Sequence, residues 1–578
     1  MLFLTAQYLG AKKDKMKTGC QLFLIILFTF SQGYAQSGSK GNFSGNFQTF
    51  FNAYERDDRI GANQEVYLKA QSSVDAWLFL NYEYEGYSFA LRFDGFQNSP
   101  LLNPQGMYTE QGIGFWQANK DFDYFSITAG YFYDQLATGM LFRAYEDRNI
   151  GIDFALQGVR IKAQLTDNLT LKGFSGQQKG SYLNGERFTV SPQVISAFNA
   201  EQRIILGSQS NLQLGASALN RVLDNQTLLQ KNNIVNSFPD PDDRFLTKYN
   251  AYGFNGYGTL NLGGFSLYSE YCYKTPDAMF DPDNNRLFYS SGNIIFNSFS
   301  YSKGRFGRNK QMSFGANAQY KRIENFSLRT SPFETLLNGM IAYLPSITRQ
   351  NTYRLLARYN SVVQELGEQA FQADFIFTPK RGTTFLFNYS YVESLAENGI
   401  QGRPEKLFEE LYFEVNHKFK KNKNTGRQWA VKGGVQSIFY NQDRYEIKPS
   451  YPNVFAITPF AEVTWKYTRQ RSLRLETQLL ETQQDLGSFI NVILEWNIAP
   501  KWSFAVGDMV NHKPFRHPES AVSDEIIHYY SAFASYTKGS SQFSLAYIKQ
   551  VEGVNCTGGI CRVEPAFSGL RFTLNTSF

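Results

Sequence analysis

The sequence predicts an all-β chain that closes into one large antiparallel transmembrane barrel, of about 26 strands with 24 as the alternative count. Three observations predict it. Segments of roughly ten residues alternate apolar with polar side chains from residue 42 to the end, with no linker or charge block dividing them. The composition suits such strands: 52 Phe, 36 Tyr and 46 Gly, against 4 Cys and 4 His, in 578 residues. The last strand ends in an aromatic, Phe578.

Residues 1–35 read as a secretory signal. Lys12, Lys13, Lys15 and Lys17 form a basic region, and Leu22 to Phe30 is a short apolar run. Gly33-Tyr34-Ala35 then places small residues at −3 and −1 of a cut before Gln36. Met16 is an alternative start. The run is too short to span a bilayer, and no later run of 18 apolar residues makes a transmembrane helix. Cys20 precedes the run, so it is not placed for lipidation. Removing residues 1–35 takes four Lys and Asp14 from a formal net charge of +6, leaving about +3. That is too little for nucleic-acid binding at this size.

Residues 36–578 read as the barrel. Tyr87, Phe89, Leu91 and Phe93 alternate with Ser88, Ala90, Arg92 and Asp94. Phe385, Phe387, Tyr389 and Tyr391 alternate with Leu386, Asn388 and Ser390. Leu473, Leu475, Thr477 and Leu479 alternate with Arg474, Glu476 and Gln478. Tandem soluble sandwiches would show the same alternation, with the apolar face in a core. The uninterrupted run, the short turns between long polar loops and the terminal Phe578 favour a barrel whose apolar face meets lipid. Phe578 resembles the C-terminal signal read by the machinery that inserts such barrels.

Twenty-five segments are counted, among them 351–361. A single-chain bacterial barrel normally has an even number. Short turns near 85, 166 and 263 fall out of phase with those near 380, 423, 469, 500 and 539 across residues 323–350. One further strand there makes 26. A barrel of that size must fill its lumen or leave it open. Only residues 36–41 precede the first strand, so filling must come from the loops 134–154, 178–192, 222–249 or 323–350.

Certain blocks carry a resemblance. They are Leu141-Phe142-Arg143-Ala144-Tyr145-Glu146-Asp147-Arg148 with Gly151-Ile152-Asp153, then Leu344-Pro345, Thr352-Tyr353-Arg354-Leu355, Gly367-Glu368 and Phe371-Gln372. Near the end come His528-Tyr529-Tyr530, Tyr536-Thr537-Lys538-Gly539 and Cys556-Thr557-Gly558-Gly559-Ile560-Cys561-Arg562. Together they resemble a Bacteroidota-type outer-membrane β-barrel family known only as a domain of unknown function. The resemblance implies fold and localisation, and no activity.

The polar face bearing Arg354, Arg358, Lys418, Arg474, Glu476 and Gln478 is expected to line the lumen. Arg143, Glu146, Asp147, Arg148 and Asp153 form a loop charge cluster with three readings. It is a solvated loop whose surface pairs contribute ~0–1 kcal/mol each, an ion-pair network plugging the lumen, or a ligand site. Cys556 and Cys561 lie in the last extracellular connection, an oxidising place, so a disulfide is expected. Cys272 is expected to stay unpaired.

Other motifs are weak. Asp240, Asp242, Asp243, Asp281 and Asp283 offer carboxylates, but Pro239, Pro241 and Pro282 point to turns rather than a metal site. His512 and His517 share a loop with Glu519, Ser520, Ser523 and Asp524, without a nucleophile elbow. No catalytic residue, metal or cofactor is expected. The functional reading is a conduit for transport or export across the bacterial outer membrane. The alternative is a non-conducting accessory surface protein, with an enzyme such as a lipid hydrolase last. Expected partners are outer-membrane lipid and lipopolysaccharide, the insertion machinery and cell-envelope proteins.

Overall fold

The computed structural model describes residues 41–104, 106–180, 187–281, 285–307, 309–334, 337–396, 402–446, 448–515, 525–557 and 560–578. They fall into two units. One is described only at 41–42 and 83–85; the other, Phe43–Tyr82 with Gly86–Phe578, holds the barrel. The export signal expected at residues 1–35 lies outside the described residues.

Among the described residues, one antiparallel sheet of 24 strands closes on itself. The first strand, Asn42–Tyr54, pairs with the last, Phe567–Ser577, in a register running from Asn46↔Ser577 to Tyr54↔Gly569. Closure leaves this sheet without an edge strand. Two-residue turns such as 208–209, 263–264, 381–382 and 539–540 lie at one end of the strands. The long connections 55–71, 133–155, 223–249 and 325–366 lie at the other. At the 381–382 turn Gly382 adopts a φ of +93°, and a Cβ there would come within 2.5 Å of the Lys418 carbonyl.

The alternation in the sequence sets which face each side chain takes. In strand Thr383–Ser394, Asn388, Ser390 and Val392 are buried inward while Phe387 is exposed outward. In strand Arg471–Leu480, Glu476 and Gln478 are buried while Leu475 is exposed.

The strand number is 24, the alternative count, and not 26. Among the described residues, neither 351–361 nor any part of 323–350 forms a further wall strand. Strands Met312–Glu324 and Gly367–Lys380 pair directly, Glu324 opposite Gly367, and 325–366 is one connection between them. At 353–357 the chain turns, with the Ala357 N–H donating to the Tyr353 carbonyl at 2.9 Å. The near-alternation of Tyr353, Leu355 and Tyr359 reflects burial inside the lumen on several sides.

The core therefore sits within the barrel. One apolar cluster joins wall residues Phe132, Phe174, Ile294 and Ile323 to Leu141 and Phe142 of 133–155. It continues to Ile341, Leu344 and Leu355 of 325–366. Each such side chain stabilises by roughly 1.5–3 kcal/mol when fully buried.

Candidate functional site in the lumen

Strand Tyr87–Ser99 turns Phe89 and Phe93 outward, which places Arg92 and Asp94 inward. Arg92 is fully buried and donates to three carboxylates. It reaches Asp94 at 2.6 and 2.9 Å, Glu146 at 2.5 Å and Asp153 at 2.7 Å. Lys179 donates to Asp153 at 2.8 Å and to the Gly114 carbonyl at 2.6 Å. The Arg187 guanidinium lies 3.6 Å from Asp153, and the Tyr133 hydroxyl donates to it at 3.0 Å. Burial pushes the Asp153 carboxyl up, but Lys179, Arg92 and Arg187 together hold it well below the usual carboxylate range.

Connection 133–155 is thus fastened to the wall. Of its five expected charges, Glu146, Arg148 and Asp153 enter the network; Arg148 lies 3.1 Å from Glu146 and donates to Gln48 at 2.9 Å. Arg143 instead stacks on Tyr343, 4.1 Å from the ring centre. Asp147 accepts from the Asn149 N–H at 3.0 Å, within a turn. The wall partners Arg92, Asp94 and Lys179, and Arg187 from the connection that follows Lys179, are not legible as site residues in the sequence. For the three wall residues the only signal is charge on the inward face of a strand.

The second inward segment, 325–366, is held partly by the first. The Arg143 N–H donates to the Ile341 carbonyl and the Tyr343 N–H to the Gly139 carbonyl, both at 3.0 Å. Its later half meets the opposite wall through polar groups as well as through Tyr353 and Leu356, which pack on Tyr412 and Phe460. Asn351 donates to Glu410 at 3.0 Å and the Tyr353 hydroxyl to Glu462 at 2.9 Å. The Leu355 N–H donates to the Gln478 side chain at 2.7 Å, and Gln436 donates to the Leu356 carbonyl at 3.1 Å. Arg358 donates to Asp485 at 2.7 Å, and the Tyr359 hydroxyl donates to the same oxygen at 3.1 Å. Burial opposes the charge on Asp485, but Arg358 and Lys448 hold its carboxyl below the usual range.

The expected lumen-lining residues fall on two different parts of the barrel. Arg354 and Arg358 stand on the inward segment, not on a wall strand. Arg474 is on the wall, within 3.3 Å of Glu462, 3.0 Å of Glu476 and 2.8 Å of Glu495. Lys418 is exposed at the short-turn end of strand Lys406–Lys418, away from the segment.

Elsewhere, Cys272 is a buried free thiol. The backbones of Cys556 and Cys561 stand opposite each other in the hairpin Gly553–Thr557 with Ile560–Glu564; their side chains lie outside the described residues. Asp240 accepts from the Asp242 N–H at 3.0 Å, and Asp243 pairs with Arg286 at 2.9 Å. Asp283, His517, Glu519, Ser520, Ser523 and Asp524 lie outside the described residues. Among the described residues no group of three His, Cys, Asp or Glu is placed to hold a metal ion.

Among solved structures, the chain is similar to the siderophore receptor PirA from Pseudomonas aeruginosa, at TM-score 0.42 and 9% identity over 94% of this chain and 81% of that one. It is similar to the P pilus usher (PapC) translocation pore, at TM-score 0.41 and 10% identity over 93% of this chain and 99% of that one. It is also similar to OccK5 (OpdH) of Pseudomonas aeruginosa, at TM-score 0.35 and 10% identity over 74% and 98%. No curated protein matches the chain. A family model, described as a family of unknown function (DUF6029), matches residues 16–578, nearly the whole sequence, and the chain belongs to that family.

Proposed function

We propose that the protein is an outer-membrane conduit closed at rest by its own segment 325–366. The observation that supports this is the larger share of polar contacts in the later half of the segment. Residues 326–347 pack against 133–155 with apolar side chains. Residues 349–361 add hydrogen bonds and an ion pair, including Tyr353–Glu462, Leu355–Gln478 and Arg358–Asp485, to the apolar packing of Tyr353 and Leu356 on Tyr412 and Phe460. Polar contacts exchange for water at a net cost of about 0.5–1.5 kcal/mol each, or about 1.5–3 kcal/mol where a charged group takes part, so the later half is the more separable one. A barrel of this strand number is wide enough for an aqueous path once that half moves.

In this reading residues 1–35 are the export signal, and the short turns face the periplasm as in other membrane barrels. Outer-membrane lipid and lipopolysaccharide meet the apolar outer face. Cell-envelope proteins that supply or receive cargo are further partners.

Conductance across a planar bilayer tests it. Full-length protein should be mostly silent. Asp485→Asn combined with Tyr353→Phe should give frequent large steps, because Arg358 loses its counter-charge and Glu462 loses a donor. Silence of both proteins, with heat-modifiable migration retained, favours the second reading: an accessory protein with a permanently filled lumen. The continuous apolar cluster joining wall and segment favours that alternative.

A further inference from the structure

Beneath the connection 223–249 the barrel buries three cations around one carboxylate. Arg221 comes from strand Ser210–Val222, Lys274 and Asp277 from strand Phe265–Asp281, and Lys231 from helix Asn225–Asn236. Arg221 and Lys274 are 0% exposed, Lys231 1% and Asp277 6%. The inward face is settled by the strand: Leu214 and Ala216 are exposed outward, while Ser217, Leu219 and Arg221 are buried.

Partners within the protein are too few. Arg221 pairs with Asp277 through one terminal nitrogen. Its Nε and its other terminal nitrogen are buried without a hydrogen-bond partner. Among the described residues Lys231 donates only to the Lys248 carbonyl, at 2.9 Å. Lys274 reaches the Ser290 carbonyl at 3.4 Å and the Met279 sulfur at 3.3 Å. The nearby Asp224 is occupied as the helix cap, accepting from Gln226, Thr227 and Gln193. Burial pushes the Lys231 ammonium down to about 8, and Asp277 offsets only part of that.

An uncompensated buried charge is strongly unfavourable unless something pairs with it. The four side chains sum to two positive charges. A dianion with several acceptor oxygens would balance that charge and satisfy both free donors of Arg221. We propose that Arg221, Lys231 and Lys274 bind a free oxyanion of the phosphate or sulfate class. The inward placement separates the site from lipid headgroups, which meet the opposite face of these strands. The site does not depend on the conduit reading.

The test uses full-length protein in detergent at constant ionic strength, with inorganic phosphate, sulfate or chloride as probes and titration calorimetry as the readout. Phosphate and sulfate should bind saturably, one per chain, with chloride at least tenfold weaker. Lys231→Met, a helix change outside the wall, should weaken phosphate at least tenfold. Asp277→Asn should tighten it, a gain that a merely structural role would not produce. Heat-modifiable migration identifies any variant that fails to fold, and the other then decides. No saturable binding by phosphate or sulfate overturns the proposal. So does equal affinity in a folded variant and the parent. So does thermal stabilisation by lipopolysaccharide vesicles with none by phosphate, which would assign the site to a lipid headgroup.

Discussion

The ring of Phe578 lies over Gly45 at the seam where the last strand closes on the first. The Gly45 N–H donates to the Phe578 carbonyl at 2.8 Å, and the Phe578 N–H returns a bond to the Gly45 carbonyl at 3.0 Å. A Cβ on Gly45 would come within 2.4 Å of that ring. Covering a strand glycine with a cross-strand aromatic pins register, here at the one pairing that joins the two ends of the sheet. Gly45→Val and deletion of Phe578 should both lower the yield of heat-modifiable barrel. Unchanged assembly in both would mean the seam is held by its ladder alone.

The network around Arg92 should dominate the stability of connection 133–155. Arg92→Met leaves Asp94 and Asp153 buried with fewer counter-charges, a change that costs about 3–5 kcal/mol for a broken buried pair. Limited proteolysis should then cut 133–155 before the strands. Cutting at the parent's rate would show that apolar packing holds the connection.

Acid should release the same connection. The Asp153 carboxyl is depressed in the folded protein, so its contribution is fully present above the unfolded value of about 3.9. It is lost as pH falls below that value toward the folded one. Stability attributable to Asp153 should be flat above about pH 5 and fall below about pH 4. Asp153→Asn should flatten that acid limb in thermal melts; an unchanged limb would assign it to other carboxylates.

Leu475 and Glu476 are neighbours on opposite faces of one strand. Leu475 is 43% exposed outward, and Glu476 is 5% exposed inward, accepting from Arg474 at 3.0 Å and from Gln478 at 2.5 Å. Leu475→Arg should cost about 2–4 kcal/mol near mid-bilayer, whereas Glu476→Gln keeps most of the hydrogen-bonding shape and should be milder. Alternation alone suggests that even Arg is tolerated at 476; the packed lumen removes that tolerance. Equal denaturation midpoints for the two variants would contradict the facing.

Cys556 and Cys561 occupy opposite positions of a hairpin. Directly opposed antiparallel residues have Cα separations of about 4.5–5.5 Å, within disulfide range. Non-reducing peptide mapping of protein from intact cells should recover them joined. Reduction should leave the barrel midpoint almost unchanged, because closing so short a loop contributes only ~2 kcal/mol. Recovery of both as free thiols would refute the pairing.

Local alternation is enough to read the chain as a barrel and to tell which strand residues face outward. A strand's two faces repeat every two residues, so Phe387 against Asn388, or Leu475 against Glu476, is readable from local order alone. The filled lumen follows from long-range packing, which local order does not report. Alternation reports that a side chain is covered, not what covers it. Tyr353 and Leu355 therefore read as one more wall strand, although the protein and not lipid surrounds them. The charged residues show the same limit: Asp153 and Arg92 are 61 positions apart, and only closure of the sheet brings them together.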